Sequence, residues 1–139
     1  MNKYLLDTNI CVHYIKGQYD LENKILNAGF KLCYLSEITI AELLFGVENS
    51  SPDRYANNLK RVEDLKASFS GRIVPVTDCL EEYAKQKAQL IKIGRRVEDL
   101  DIFIGATSIV KELTLVTRNT KDFINMTNIK LENWIDNQF

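Results

Sequence analysis

Hydrophobic residues along this chain fall into short runs that stop at polar residues, alternating with longer stretches where apolar positions recur every three or four residues. Residues 3–6 form an apolar run that ends at Asp7. Residues 9–16 then carry Ile10, Tyr14 and the Val12/Ile15 pair at helical spacing, which predicts strand, sharp turn and helix. Asp20 is placed to cap a second short helix bearing Leu21, Ile25 and Leu26 and ended by Gly29. A second strand over residues 32–35 leads to Ser36. That residue opens a helix whose Ile38, Ile40, Ala41, Leu43, Leu44 and Val47 lie all around its circumference, so burial on most sides is expected. Residues 49–53, NSSPD, read as a loop, and beyond them Tyr55, Leu59, Val62, Leu65 and Phe69 mark one face of an amphipathic helix. A third strand over residues 73–76 precedes Asp78, the expected cap of a helix over residues 79–93 with Tyr83, Ala84, Ala88 and Ile91 inward. Residues 99–111 form a further helix, apolar on most sides. Strands follow at 113–116 and 129–131.

Strands that alternate with helices imply an α/β fold in three layers, a four- or five-stranded parallel sheet covered on both faces. With 139 residues, 45% of them apolar and 27% charged, the whole chain, 1–139, reads as one domain. A chain of this length builds its core without a metal or disulfide, so any metal serves chemistry. Cys11, Cys33 and Cys79 form no C-x-x-C pair and His13 is the single histidine, which excludes a structural zinc site and points to a reducing, cytoplasmic compartment. No apolar run approaches a membrane span, and MNKYLLDTNI is too short in apolar residues for a signal peptide. Eighteen basic against 19 acidic residues give a net charge of -1, so the overall charge does not announce a nucleic-acid partner.

The chemistry is carried by acids in unusual places. Asp7 ends a strand, where open α/β sheets place their ligand crevice, although an aspartate there also serves to cap the next helix. Glu42 shares its helix face with Ile38 and Phe45, and a buried carboxylate is costly unless a cation or hydrogen bonds satisfy it. Asp101 lies among Ile104, Gly105 and Ser108, and Gly105 suggests a close approach one turn away. Its neighbours Glu98 and Asp99 suit the positive end of a helix dipole and need no other role. Leu115-Val116-Thr117 runs out at Asn119, with Asp122 one turn later, an arrangement that also suits a simple turn. Oxygen ligands without nearby histidine or cysteine select Mg²⁺, with Mn²⁺ able to substitute, and suit phosphodiester hydrolysis by activated water.

LLDTNI at 5–10, S-x-x-T-x-x-E-L-x-x-G at 36–46, D-x-x-I-x-A at 101–106 and LVTRNTKDF at 115–123 occur in that order, and nearly the whole chain resembles the PIN-domain ribonucleases, in particular VapC-type toxins of toxin-antitoxin pairs. The resemblance implies a Mg²⁺-dependent endoribonuclease acting on structured RNA such as tRNA or rRNA. It also implies a cognate antitoxin that blocks the site, and commonly a homodimer within a larger toxin-antitoxin complex. By position, Asp7, Glu42 and Asp101 would be the metal-binding and catalytic acids. Asn119 falls where many members carry Asp, so either Asn119 or Asp122 completes the site. Thr8, Asn9, Ser36 and Thr117 match polar positions that orient the ligands. Lys92, Arg95, Arg96, Arg118 and Lys121 lie near these motifs and could contact phosphates.

Two other classes compete. A Mg²⁺-binding phosphoacceptor module needs an acidic pair at the first strand and an aspartate ending a middle strand, but Leu6-Asp7-Thr8 has one acid and Val76-Thr77 has none. A haloacid-dehalogenase-type phosphatase needs a second Asp that Asp7-Thr8-Asn9 lacks. A catalytically silent binding module of the same fold differs only in its lack of activity on RNA.

Overall fold

The structure is a computed structural model and describes residues 1–136. Strand β1 (Tyr4–Leu6) is followed by helices α1 (Thr8–Ile15) and α2 (Leu21–Ala28). Strand β2 (Cys33–Ser36) leads to α3 (Glu37–Glu48) and α4 (Pro52–Ser68), and β3 (Ile73–Val74) to α5 (Leu80–Lys92) and α6 (Asp99–Val110). Then come β4 (Thr114–Val116), the one-turn α7 (Thr120–Phe123) and β5 (Leu131–Glu132). The five strands are all parallel, in the order β3-β2-β1-β4-β5. The chain builds outward from β1 in one direction, then returns to β1's other side with β4. The crevice at the carboxyl ends of β1 and β4 is therefore the place where this topology puts a ligand.

Side-chain alternation along each strand divides the core. Leu6, Leu35 and Val116 point toward one layer with Ile10, Ile25, Val62 and Phe69, while Leu5 and Leu115 point toward the other with Leu90, Ile102, Ile104 and Phe123. Among the described residues no helix is long and apolar enough to cross a membrane. Cys11, Cys33 and Cys79 are buried free thiols, and burial raises the proton affinity of each, to a pKa of about 11 at Cys33.

Several details depart from the pattern-based expectation. Helix α3 is not buried on most sides: Thr39, Ile40, Leu43 and Val47 face inward, whereas Ala41, Leu44, Phe45 and Gly46 are exposed. On α5 the inward positions are Gln86 and Leu90, with Tyr83 half-buried, and Ala84, Ala88 and Ile91 face solvent. Gln86 misled the pattern because it is a satisfied buried amide, donating to the Thr127 carbonyl at 3.1 Å and accepting from its N–H at 2.9 Å. Asp78 does not cap α5; it sits in a 3-10 turn and pairs with Lys111 at 3.0 Å. Leu26 is exposed, and Asp20 precedes α2 in a left-handed conformation without a capping bond. The close approach at Gly105 is Met126, whose sulfur would lie 2.5 Å from an added Cβ, so that glycine serves core packing.

Candidate active site

The site is assembled where β1 and β4 end side by side. The Asp7 N–H donates to the Val116 carbonyl at 2.9 Å, which extends the strand pairing by one residue and carries Asp7 into the crevice. Asp7 also caps α1, its carboxylate accepting from the Thr8 N–H at 2.8 Å, so capping and a site role coexist in one residue. The same carboxylate accepts from the Thr117 hydroxyl at 2.8 Å and the Asn9 amide at 3.2 Å. Only 4% of Asp7 is exposed. Burial raises its proton affinity above that of an ordinary carboxylate and outweighs these three donors, and the charge of Glu42 pushes the same way.

Glu42 projects from α3 and is half-buried. Its Oε1 accepts from the Thr8 hydroxyl at 2.5 Å, and that hydroxyl lies 3.1 Å from the Thr39 hydroxyl. Thr8 thus links the two acids, its N–H on Asp7 and its hydroxyl on Glu42. Thr39 was not singled out from the sequence, although its place three residues before Glu42 puts both on neighbouring positions of one helix face.

Asp101 stands in the first turn of α6, half-buried, and among the described residues no hydrogen bond or ion pair holds it. Its pKa is raised from 3.8 to about 6, first by burial and then by the charges of Asp7, Glu42, Asp122 and Glu98. Four acids, one after β1, one on α3, one on α7 and one just before α6, therefore act on Asp101, and no basic group offsets them. Asp99 is engaged elsewhere, by Lys87 at 2.8 Å and the Tyr83 hydroxyl at 2.9 Å, which lower its proton affinity. Asn119 is exposed at the rim, and its N–H donates to the Thr117 hydroxyl oxygen at 3.0 Å. Asp122 is also exposed, yet its charge reaches Asp101. Ser36 caps α3 and is fully buried, fixing the helix that carries Glu42. Of the basic residues, Arg118 has its backbone in the site through an N–H bond to Asn9 at 3.1 Å, while Lys92, Arg95, Arg96 and Lys121 are exposed.

Among the described residues, no three acids are drawn into a ready-made three-ligand cage. Mg²⁺ is ordinarily held by one or two carboxylates and keeps several waters, so it does not require such a cage. All the available donors are hard oxygens, which fits Mg²⁺ or Mn²⁺; His13 is occupied by Gln18 at 2.6 Å. Asp78, which follows β3, is paired with Lys111 at 3.0 Å and is not among the charges that act on Asp7 or Asp101.

Residues 4–128 match the family described as PIN domain. Ribonuclease VapC2 of Haemophilus influenzae is 33% identical, over 97% of this chain and 100% of that protein. The tRNA(fMet)-specific endonuclease VapC of Shigella flexneri is 32% identical, over 96% and 99%. Among solved structures, the DNA-bound VapBC of Salmonella typhimurium superposes with a TM-score of 0.86 at 27% identity, covering 96% of this chain and 99% of that one. VapBC2 of Rickettsia felis, bound to a DNA fragment from its promoter, gives 0.83 at 29% identity, covering 94% and 98%.

Proposed function

Because this chain belongs to the PIN-domain family, in its VapC ribonuclease branch, we propose that it is a divalent-metal-dependent endoribonuclease toxin acting in the cytoplasm. The observation that carries the reading is the convergence of Asp7, Glu42 and Asp101 at the carboxyl end of the sheet, with the pKa of Asp101 raised to about 6 first by burial and then by its acidic neighbours. A like-charged cluster with no basic partner is unfavourable for the fold by itself and favourable for a site that receives a cation. Mg²⁺ or Mn²⁺ bound among these acids would polarise a phosphate oxygen and neutralise charge that develops as the phosphodiester is cleaved.

The protein's own groups do the rest. Thr117, Asn9 and the Thr8 N–H fix Asp7 in one orientation. Thr8 holds Glu42 by Oε1, leaving Oε2 to accept a proton from an attacking water. Asn119 lines the rim as an uncharged donor, and Asp122 adds the fourth negative charge.

The substrate we propose is structured RNA, tRNA or rRNA, and a tRNA-directed relative supports the former. The partner is a cognate antitoxin that covers the site. The exposed apolar side of α3, with Phe45 69% exposed beside Glu42, offers it a surface, and homodimers within a larger toxin-antitoxin complex complete the proposed assembly. Induced expression should arrest growth, co-expression of the antitoxin should restore it, and Asp7→Asn should be harmless while still folded. A folded wild-type protein that leaves growth unaffected overturns the toxin reading.

A further inference from the structure

The loop between α1 and α2 contains a backbone feature that the fold does not require. Tyr19 and Asp20 both adopt left-handed backbone conformations, φ 59° and 55°, with Gln18 separating them from Gly17 at φ 69°. An aspartate tolerates that region, but a bulky aromatic residue there is a true outlier, and such strain collects at functional sites. Here it sets the Tyr19 ring, 43% exposed, against Arg118. The guanidinium carbon lies 5.1 Å from the ring centroid, and Nη1 donates to the Tyr19 hydroxyl at 3.3 Å. The His13 ring meets the Tyr19 ring at 4.9 Å, nearly perpendicular. From the other side Asp136 accepts from Nε at 3.2 Å and Nη2 at 3.3 Å.

An exposed ion pair and an exposed cation–π contact are weak stabilisers, so they do not account for a strained tyrosine. Arg118 is oriented nonetheless, and these contacts use three of its five N–H donors, leaving two for a ligand. Its location matters: the Arg118 main-chain N–H bonds the Asn9 side chain, which bonds Asp7, so the backbone that carries this guanidinium stands two hydrogen bonds from the acid cluster. An aromatic ring and an arginine at the lip of an acidic crevice are what a flexible RNA strand needs there, one to stack a base and one to hold a phosphate beside acids that would otherwise repel it.

We propose that Tyr19 and Arg118 form a nucleotide-binding shelf at the edge of the crevice, Arg118 holding a phosphate that flanks the scissile one and Tyr19 stacking on its base. The shelf names the substrate contact of the nuclease reading and rests on it. The test is fluorescence anisotropy with a short fluorescein-labelled oligoribonucleotide of mixed sequence, in EDTA so that no turnover intervenes, with the thermal midpoint of each variant recorded. Arg118→Ala should weaken binding about 5-fold to 10-fold and flatten the slope of log affinity against log salt by about 0.7, the contribution of one phosphate contact on a single strand. Tyr19→Gly should weaken binding by about 5-fold or more without changing that slope, because stacking carries no charge. Its thermal midpoint should hold or rise, since glycine accepts the left-handed conformation. Tyr19→Phe should bind close to wild type. An abasic version of the oligonucleotide should cost the wild type as much as Tyr19→Gly does, and cost Tyr19→Gly nothing further. Wild-type affinity in Tyr19→Gly and Arg118→Ala, or no RNA binding by the wild type, overturns the shelf. A protein that binds through these two residues yet cuts no RNA with Mg²⁺ or Mn²⁺ refutes the nuclease reading alone.

Discussion

Replacing Asp101 with Asn removes a charge that the folded protein holds at a cost. In the fold its carboxyl has a pKa of about 6 against an ordinary 3.8, about a hundredfold gain in proton affinity. Taken at face value that corresponds to ~3 kcal/mol. Asp101 is only half-buried, so solvent screening reduces the figure to about 1 kcal/mol. The sign follows from the direction of the shift. Between about pH 4 and pH 6 the folded state binds more protons than the unfolded state, so stability falls as pH rises through that window and the whole penalty is present above it. Asparagine is neutral throughout and loses no hydrogen bond, since none holds Asp101 among the described residues. In EDTA at pH 7 the Asp101→Asn protein should therefore melt about 3 °C above wild type, and the two should converge near pH 4. With Mg²⁺ the order should narrow or reverse, because the cation stabilises only the site that keeps its charge. Differential scanning calorimetry across this pH range measures it. A variant that melts below wild type at pH 7, or a difference that does not change with pH, makes Asp101 a structural residue instead.

Other consequences are as specific. Thr8→Val removes the hydroxyl that holds Glu42, and RNA cleavage should fall about 10-fold to 100-fold with little change in melting, whereas Thr8→Ser should keep most activity. Thr117→Val deletes a fully buried donor to Asp7, and should destabilise the fold by about 1–3 kcal/mol in denaturant titrations. Asn119→Ala should lower the cleavage rate about 10-fold while leaving Mn²⁺ affinity unchanged, since an amide carries no charge; Asp122→Ala should weaken Mn²⁺ binding as well. Equal Mn²⁺ affinity in those two variants would remove Asp122 as a fourth acid.

The sheet was legible because its strands are short apolar runs that stop at polar residues, and each of the five appears within two or three residues of its expected place. Asp7 was legible for the same reason, as an acid at a strand end. Helix faces were less legible. Apolar periodicity assigns Ala84, Ala88 and Ile91 to the core, but the stripe of α5 that packs inward includes a glutamine, whose amide is satisfied by a backbone segment 41 residues away. On α3 the apolar residues exceed what the core takes up, which hydropathy alone cannot distinguish from full burial. Gly105 signalled a close approach correctly, but the approaching group is Met126, and only packing reveals that. The relation of Asp122 to Asp101 also lay beyond the sequence, because α7 is a single turn whose direction depends on the path from β4. The left-handed tyrosine before α2 carries no sequence signal, since glycine or asparagine is the residue that ordinarily marks such a position.

A divalent-cation site for cutting RNA, formed by Asp7, Glu42 and Asp101, should show itself when the purified protein is incubated with total cellular RNA. Discrete fragments are expected with Mg²⁺ or Mn²⁺, none in EDTA, recovery when excess Mn²⁺ is restored, and none at any metal concentration with Asp101→Asn. Cleavage by the wild type that persists in EDTA, or full cleavage by Asp101→Asn, contradicts such a site.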